Sequence, residues 1–568
     1  MKYGFCQFNK AFVVFCLLLV THFGYPISQN CWQPHSFSNG GTREILILQE
    51  LNLKELNKKY YPELTSTKER EREELGKKRT DIESIKKYGF ICLFGLAGEY
   101  VQSFGKQNGK YGLGSKPFWS GTNKMTIGTN DGKSDLDAYQ FGLGETKSEG
   151  MITLSPVVQE IGVTLFNYAL QNKNSPGLYI KAKVTYGATY VNPITCEVLA
   201  QQTSSIFGEG VYYPLPLLQY NSLTEAFHGG YSYQMPLYRF GKIQRCRSKY
   251  LGTGDSSVVG GWNFVVQENA HAGVGMKFSY PMGNWPLSEF MLEPIFGSAG
   301  HPGLGLDVSA HYTFSLKNED EISVWLQSDF MHYFPGRKPN LRSFDLKANG
   351  PGSKYLLLQQ WGYALIDGVQ QWDPFPAFLQ PAINYTTVPV LSSFPIEADM
   401  TVMIDYRNHN LDFGIAVEFW ARSKESLAID HCETLQYEKE VGYDYNLNHY
   451  AVAGRQIAQY GGTRWCEPLA KINQSKPAQG EINHYPLQVK DGRNPANRIP
   501  QVWEDAFDIE GATMRRVVTG KFVGQVGYTI LKHKNTPHFS LYGGVELSSK
   551  KSQIDNMWSC GLVMAIQY

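Results

Sequence analysis

Charge is scarce in this chain of 568 residues, and its balance excludes one large class of function. Only 18% of the residues are charged, and the formal net charge is +1. A chain without an excess of basic residues carries no electrostatic footprint for nucleic acid. Long apolar runs are also absent after residue 30, where no stretch approaches 18 uncharged apolar residues. A membrane-spanning helix needs about 20 such residues, so any membrane crossing requires a different structure.

Cysteines are few, and their spacing excludes two kinds of site. Nine occur, at positions 6, 16, 31, 92, 196, 246, 432, 466 and 560, and no two form a C-x-x-C pair. Zinc-ribbon and thioredoxin chemistry therefore have no support. In an oxidising compartment a disulfide could join Cys432 to Cys466, or Cys196 to Cys246, and the sequence leaves both pairings open.

Motifs for catalysis and metal binding are incomplete. Only three residues separate Gly128 from Gly132, where a phosphate-binding loop needs four. The GDSS sequence at 254–257 precedes an alternating strand pattern instead of the helix that follows a nucleophile elbow. No H-E-x-x-H sequence occurs. We therefore predict no catalytic residue, no metal and no cofactor.

The first 87 residues differ from the rest of the chain. Lys2 and Lys10 flank the start of an apolar run at residues 11–20, which is the layout of a secretory signal, so residues 1–30 are predicted to be a cleaved signal peptide. In the stretch 68–87, 14 of 20 residues are charged, and Ser66 and Glu69 have the spacing of a capping box. We predict a helical, charged segment over residues 31–87. It is either a solvated surface helix or spacer, or an interaction element or small plug.

Aromatic residues and glycine are abundant instead, and they follow a period of two. Aromatics make up 14% of the chain, which holds 35 tyrosines and 56 glycines, a composition typical of strands and turns. In LYIKAKVTYGATY, which begins at Leu178, one face is apolar and Lys181 and Lys183 lie on the other. Fourteen such segments follow residue 88, among them 288–297 and 354–365, and several alternate over 11 or more residues.

These lengths favour a membrane barrel over a soluble sandwich. Sandwich strands average about 5–6 residues, whereas a strand that crosses a bilayer needs about 9–11. The pattern predicts an all-β membrane protein, an antiparallel transmembrane β-barrel over residues 88–568 with 12–16 strands and a best estimate of 14. Long loops are predicted near 192–257, 366–396 and 425–513, and the last is the expected surface loop or constriction.

The chain ends inside this alternating pattern. Leu562, Met564, Ile566 and Tyr568 share one face of the last predicted strand. This ending resembles the C-terminal signal of Gram-negative outer-membrane β-barrels, although that family more often ends in Phe. The resemblance implies a porin-like barrel that the barrel-assembly machinery inserts into outer-membrane lipid. It also implies that residues 31–87 lie in the periplasm.

Polar side chains on the opposite strand faces are the candidate working residues. In a pore, rows of acidic and basic side chains set the ion preference. Alternatively, they pair into a closed, salt-bridged interior. The lumen-facing candidates are Lys181, Lys183, Asp307, His311, Lys317, Asp405, Arg407, Asp412, Glu418, Arg422, Arg515 and Lys521.

The leading hypothesis is a porin-like channel for passive diffusion of small hydrophilic solutes or ions across an outer membrane. One alternative is a surface antigen or adhesin, in which the barrel only displays its long loops. A barrel enzyme and a soluble secreted all-β protein are further alternatives. The sequence does not predict the solute or the oligomeric state.

Overall fold

A computed structural model of the chain describes most of the alternating segments and part of the N-terminal segment. The described residues are 41–48, 90–104, 106–107, 110–111, 118–119, 122–128, 133–141, 150–171, 177–199, 222–229, 238–267, 269–316, 320–336, 340–366, 369–431, 449–452, 470–473, 504–530, 537–548 and 556–567.

Twelve antiparallel strands form one closed barrel. Each strand pairs with its neighbours along the chain, the last strand pairs with the first, and the circle has no free edge. The strands are β1 (Phe90–Ser103), β2 (Val157–Gln171), β3 (Gly177–Asn192), β4 (Ser248–Gln267), β5 (Ala270–Tyr280), β6 (Gly303–Ser315), β7 (Glu321–Tyr333), β8 (Thr387–Asn408), β9 (Leu411–Arg422), β10 (Val517–Thr529), β11 (Pro537–Ser548) and β12 (Met557–Gln567).

Burial along these strands is inverted relative to a soluble protein. In β3 the apolar side chains Leu178 and Ile180 are more than half exposed, whereas Lys181 and Lys183, on the opposite face of the strand, are buried. The same alternation runs along the other strands, so the apolar faces form a continuous outer surface and the polar faces line the interior. An apolar outer band with a polar inner face is the arrangement of a barrel surrounded by hydrocarbon.

The two ends of the barrel are unequal. The strand ends that are joined by the short connections lie at one end, together with the start of β1 and the end of β12; these connections are residues 172–176, 268–269, 316–320, 409–410 and 530–536. The strand ends that are joined by the other connections lie at the opposite end; these are residues 104–156, 193–247, 281–302, 334–386, 423–516 and 549–556. Bacterial barrels have short periplasmic turns and longer extracellular loops. We therefore call the first end the inner end and the second the outer end.

The long connections fold together above the barrel into an apolar core, here called the outer cap. Phe118, Phe141, Phe227 and Phe344 are fully buried in it, and Tyr355 lies among them. Its strands are Lys106–Gln107, Lys110–Tyr111, Lys124–Gly128, Leu136–Asp137, Gly150–Leu154, Thr195–Leu199, Asn340–Ser343, Leu357–Ile366, Val369–Pro381, Ser426–Ile429 and His449–Val452. Its helical turns are Ala138–Phe141, Leu223–Phe227, Ser353–Tyr355, Ala382–Thr386, Glu504–Ala506 and Ile509–Ala512.

One α-helix, α1 (Gly41–Leu48), lies outside the long connections. Among the described residues, no helix combines the length and the apolar character needed to cross a membrane.

The predicted antiparallel barrel is confirmed, at the lower end of the predicted range of strand number. Twelve of the fourteen candidate segments enter the barrel, and two do not. Residues 288–297 form a connection in which the Glu293 carboxylate accepts hydrogen bonds from the backbone N–H groups of Leu287 (2.8 Å) and Glu289 (2.7 Å). These amides are therefore satisfied by a side chain instead of a neighbouring strand. Residues 354–365 contribute the strand Leu357–Ile366, which pairs with Val369–Pro381 in the outer cap.

Candidate functional site

The barrel lumen is the candidate site, and helix α1 lies inside it. The side chains of Arg43 to Leu48 are all at most 5% exposed. Ile45 to Leu48 belong to one apolar cluster with inward side chains of the wall, including Leu93 and Ala97 of β1 and Val563 and Ala565 of β12. The wall is thus apolar where it receives the helix, although most of its inward positions are polar. Segment 31–87 was predicted to be a surface helix or spacer, or a periplasmic interaction element or small plug, and the part of it that the structure describes, residues 41–48, lies in the lumen.

Two charged side chains of α1 reach opposite partners on the wall. The Lys183 ammonium donates a hydrogen bond to Glu44 Oε1 at 2.8 Å. Arg43 Nη1 lies 3.4 Å from Glu99 Oε2 and 3.4 Å from Thr164 Oγ1. All of these groups are buried, so each charge depends on its partner for compensation. The helix is therefore held by ion pairs as well as by apolar contacts.

Next to Glu44, the wall carries a basic cluster, which we define as Lys181 and Lys183 of β3 and Lys277 of β5. Lys181 Nζ lies 2.7 and 3.0 Å from the two carboxylate oxygens of Asp307, and Lys277 pairs with Asp329. The hydroxyl of Tyr179 donates to Asp307 at 3.0 Å. Lys181 and Lys277 also lie close enough to Glu44 to interact with it electrostatically.

Carboxylates dominate the part of the wall formed by β8 to β11. The amide of Gln525 donates to Asp405 at 2.9 Å and to Asp412 at 3.0 Å, and accepts a hydrogen bond from Ser540 at 2.7 Å. Lys521 pairs with Glu99 at 3.1 Å. The lumen thus carries a basic cluster on β3 and β5 and an amide-bridged acidic cluster on β8 and β9.

A small cavity lies near the inner end of the lumen. Its volume is about 20 Å³, enough for one water molecule, and Leu48, His271, His311 and Trp325 line it. His271 and His311 are opposite each other in register on β5 and β6, and their Nδ1 atoms are in contact. Trp325 stacks on His311 with ring centroids 4.4 Å apart.

At the outer end, the connection 281–302 packs against the inside of the wall. Thr189 donates to the carbonyl of Ile295 at 3.2 Å, and Ser298 donates to Asp255 at 3.2 Å. Phe296 is buried against Gly187 and Gly254 of the barrel wall. The sequence pattern predicted a surface loop or constriction near 425–513, of which the structure describes only parts, and assigned a strand to residues 288–297 of this connection.

The structure places most of the predicted lumen-facing residues inside the barrel. Arg407 is partly exposed near the inner end of β8, Arg515 is partly exposed before β10, and Lys317 lies outside the described residues. Their role in ion selectivity stays a prediction. The residues buried inside are Lys181, Lys183, Asp307, His311, Asp405, Asp412, Glu418, Arg422 and Lys521.

Sequence reasoning missed Arg43, Glu44 and Glu99. Glu99 had a usable signal, because it is the one charged residue in the strand FICLFGLAGEYVQS and falls on its inward face.

The structure describes some of the predicted C-terminal signal residues and cysteines and not others. Leu562 faces outward at 49% exposure, Met564 and Ile566 share its face, and the placement of Tyr568 lies outside the described residues. Cys432 and Cys466 also lie outside the described residues, whereas Cys196 and Cys246 are exposed free thiols.

Comparison with known proteins extends only to the fold. No protein-family model matches this chain, and no curated protein matches it. An outer membrane channel from Pseudomonas putida F1 is 8% identical with a TM-score of 0.34, over 84% of this chain and 95% of that one. A Pseudomonas aeruginosa FadL homologue is 7% identical with a TM-score of 0.24, over 84% and 89%. The CymD monoaromatic hydrocarbon channel is 7% identical with a TM-score of 0.23, over 85% and 89%. At these TM-scores the assignment of the fold rests on the closed circle of strand pairings in this chain.

Proposed function

We propose that the protein is a gated outer-membrane channel for small hydrophilic solutes, and that helix α1 closes it. The observation that carries the proposal is the position of Arg43 to Leu48, buried inside the barrel and bonded to its wall. A structural strut would need only apolar contacts. The ion pairs of Arg43 and Glu44 with the wall favour one defined position of the helix in the lumen, as a gate requires.

The lining of the lumen supports hydrophilic solutes. Inward positions of β3, β6 and β8 carry lysine, aspartate, threonine and serine, which replace the hydration of a polar solute. The barrel has twelve strands, more than the eight whose side chains fill a barrel completely, so its interior leaves room once the helix is gone. We propose no chemical step. We also propose that residues 1–30 are removed as a signal peptide, which sequencing of the mature N-terminus tests.

Single-channel conductance in a planar bilayer tests the gate. The comparison is between the wild-type chain and the same chain lacking residues 41–48, both checked for heat-modifiable migration on a gel. We expect brief, rare openings of the wild type and a stable open level of the deletion variant. Folded deletion protein that inserts without conducting would refute the channel.

A specific observation favours a second candidate, surface recognition. The outer cap has a packed core of its own, with Phe344 and Phe507 stacked at a centroid distance of 5.6 Å and fully buried. Loops that only surround the entrance of a channel need no packed apolar core. A folded deletion variant that stays silent in the bilayer would favour this candidate.

A further inference from the structure

The basic cluster is compensated in two different ways, and the difference concerns the substrate of the proposed channel. Lys181 and Lys277 pair with Asp307 and Asp329, which belong to the barrel wall. Lys183 pairs with Glu44, which belongs to helix α1. Among the described residues, no wall carboxylate lies within ion-pair distance of Lys183. Departure of the helix therefore removes the counterion of Lys183 and of no other lysine in the cluster.

The neighbouring carboxylates do not replace Glu44. Asp329 has one oxygen on Lys277, and its Oδ1 is without a hydrogen-bond partner among the described residues. Asp255, further toward the outer end, has one oxygen on the Ser298 hydroxyl at 3.2 Å, and its Oδ2 is without a hydrogen-bond partner among the described residues. Neither carboxylate is bonded to Lys183, so departure of the helix leaves Lys183 as the one lysine of the cluster without a direct carboxylate partner.

Arg43, the positive charge on the helix, leaves no carboxylate without a partner at its own position. Glu99, the partner of Arg43, also pairs with Lys521 of the wall at 3.1 Å. When the helix departs, Glu99 keeps a cation while Lys183 loses its anion. At these two positions, departure of the helix thus leaves an ammonium group without a direct partner and a carboxylate that keeps one.

We propose that Lys183 is the binding site for the carboxylate of an anionic solute, and that Glu44 occupies this site when the channel is closed. The inference rests on the proposed function. The solute carboxylate and the Glu44 carboxylate would both pair with the same ammonium group, so they compete for one position. Binding of the solute and seating of the helix are then mutually exclusive, and by linkage the solute shifts the channel toward its open state.

The test measures open probability of the full-length wild-type channel while acetate replaces chloride at constant ionic strength. Acetate is the probe because it presents a carboxylate without other functional groups. We expect the open probability to rise at least about fivefold, the lower end of typical coupling between two linked equilibria. The variant Lys183→Gln should lose this response. The variant Lys424→Gln, which changes an exposed ion pair with Glu510 on the outer surface, should keep it.

A second measurement covers the case in which Lys183→Gln fails to fold. In the variant Glu44→Gln, the helix no longer competes through a carboxylate, so the open probability should be high in chloride and change less than twofold in acetate. A wild-type response that Glu44→Gln retains in full would overturn the proposal, as would a wild-type channel that ignores acetate.

The deletion variant separates this proposal from the proposed function. If the chain lacking residues 41–48 conducts, and acetate lowers its chloride conductance more than that of the same deletion chain carrying Lys183→Gln, both stand. If it conducts and acetate acts equally on the two chains, the channel stands and the carboxylate site falls. If it folds and does not conduct, the channel itself falls.

Discussion

Replacing Gly95 by alanine should destabilise the closed state, in which helix α1 packs inside the barrel. Gly95 faces inward on β1, and a Cβ atom there would lie 2.5, 2.8 and 2.9 Å from Cγ2, Cδ1 and Cγ1 of Ile47. Ile47 is 1% exposed, and its β-branched side chain has few alternative rotamers in a helix. Because two of the contacted atoms are attached directly to the Ile47 Cβ, the clash requires a shift of the helix backbone.

The size of the effect follows from the cost of overpacking a filled core. An extra methyl group in such a position costs about 1–3 kcal/mol. This cost falls on the closed state alone, because the open channel has no helix against β1. The ratio of open to closed channel should therefore rise by a factor of about 5–150. Single-channel recording at fixed voltage and salt measures this ratio directly.

Two further variants decide whether the reasoning is right. Gly98→Ala adds the same methyl group to the same strand on its outward face, where nothing lies within 4 Å, and should leave the open probability unchanged. In an Ile47→Ala background the contacting atoms are gone, so adding Gly95→Ala should have little further effect. Equal open probabilities for Gly95→Ala and Gly98→Ala would show that the helix does not sit against Gly95.

Two other predictions concern the outer cap and its junction with the barrel. Glu425→Gln should lower the free energy of unfolding by about 3–5 kcal/mol, because it removes the carboxylate that lies 2.7 Å from the buried Arg342 and leaves this arginine without a counterion. The control is Lys424→Gln, which removes an exposed ion pair and should change the free energy of unfolding little. An equal loss for both variants, measured by thermal unfolding in detergent, would contradict this. Burial lowers the pKa of His301 to about 4, despite its 3.0 Å hydrogen bond to the Phe334 carbonyl. The unfolded chain binds this proton near pH 6.5, so stability should fall by about 3 kcal/mol as the pH drops from 6.5 to 4, and His301→Gln should remove that part of the pH dependence. Parallel pH profiles of the two proteins would refute it.

The barrel was predictable because its wall obeys a local rule. Each strand separates hydrocarbon from a polar interior, so side chains such as Ile180 and Lys181 alternate along the sequence itself. The difference between the best estimate of 14 strands and the observed 12 has a local origin as well. The segment 354–365 contributes the strand Leu357–Ile366, whose pattern is that of any strand, and only its partner, Val369–Pro381, places it in the outer cap. The alternation of side chains along a strand does not show which other strand it pairs with.

A helical segment over residues 31–87 was predicted, with a small plug as one alternative, but the position of α1 in the lumen was not predictable, for a related reason. The segment REILIL has no clear helical period, because all of its side chains are surrounded by wall and none faces solvent. The wall residues that receive it, Leu93 and Val563, lie in strands that are apolar on both faces at those positions. The ion pair between Glu44 and Lys183 joins residues 139 positions apart. Only the assembled barrel brings these features together.

The enclosure of α1 bears on how such a gate would work. Helices in proteins owe most of their stability to packing, and the side chains of Arg43 to Leu48 are all buried against the wall. Leaving the lumen would therefore melt the helix, and the conformational entropy regained would offset part of the lost apolar and ionic contacts. The closed state is then a balance between two large and opposite terms. A balance of this kind explains why one methyl group at Gly95, or one competing carboxylate at Lys183, is expected to shift it measurably.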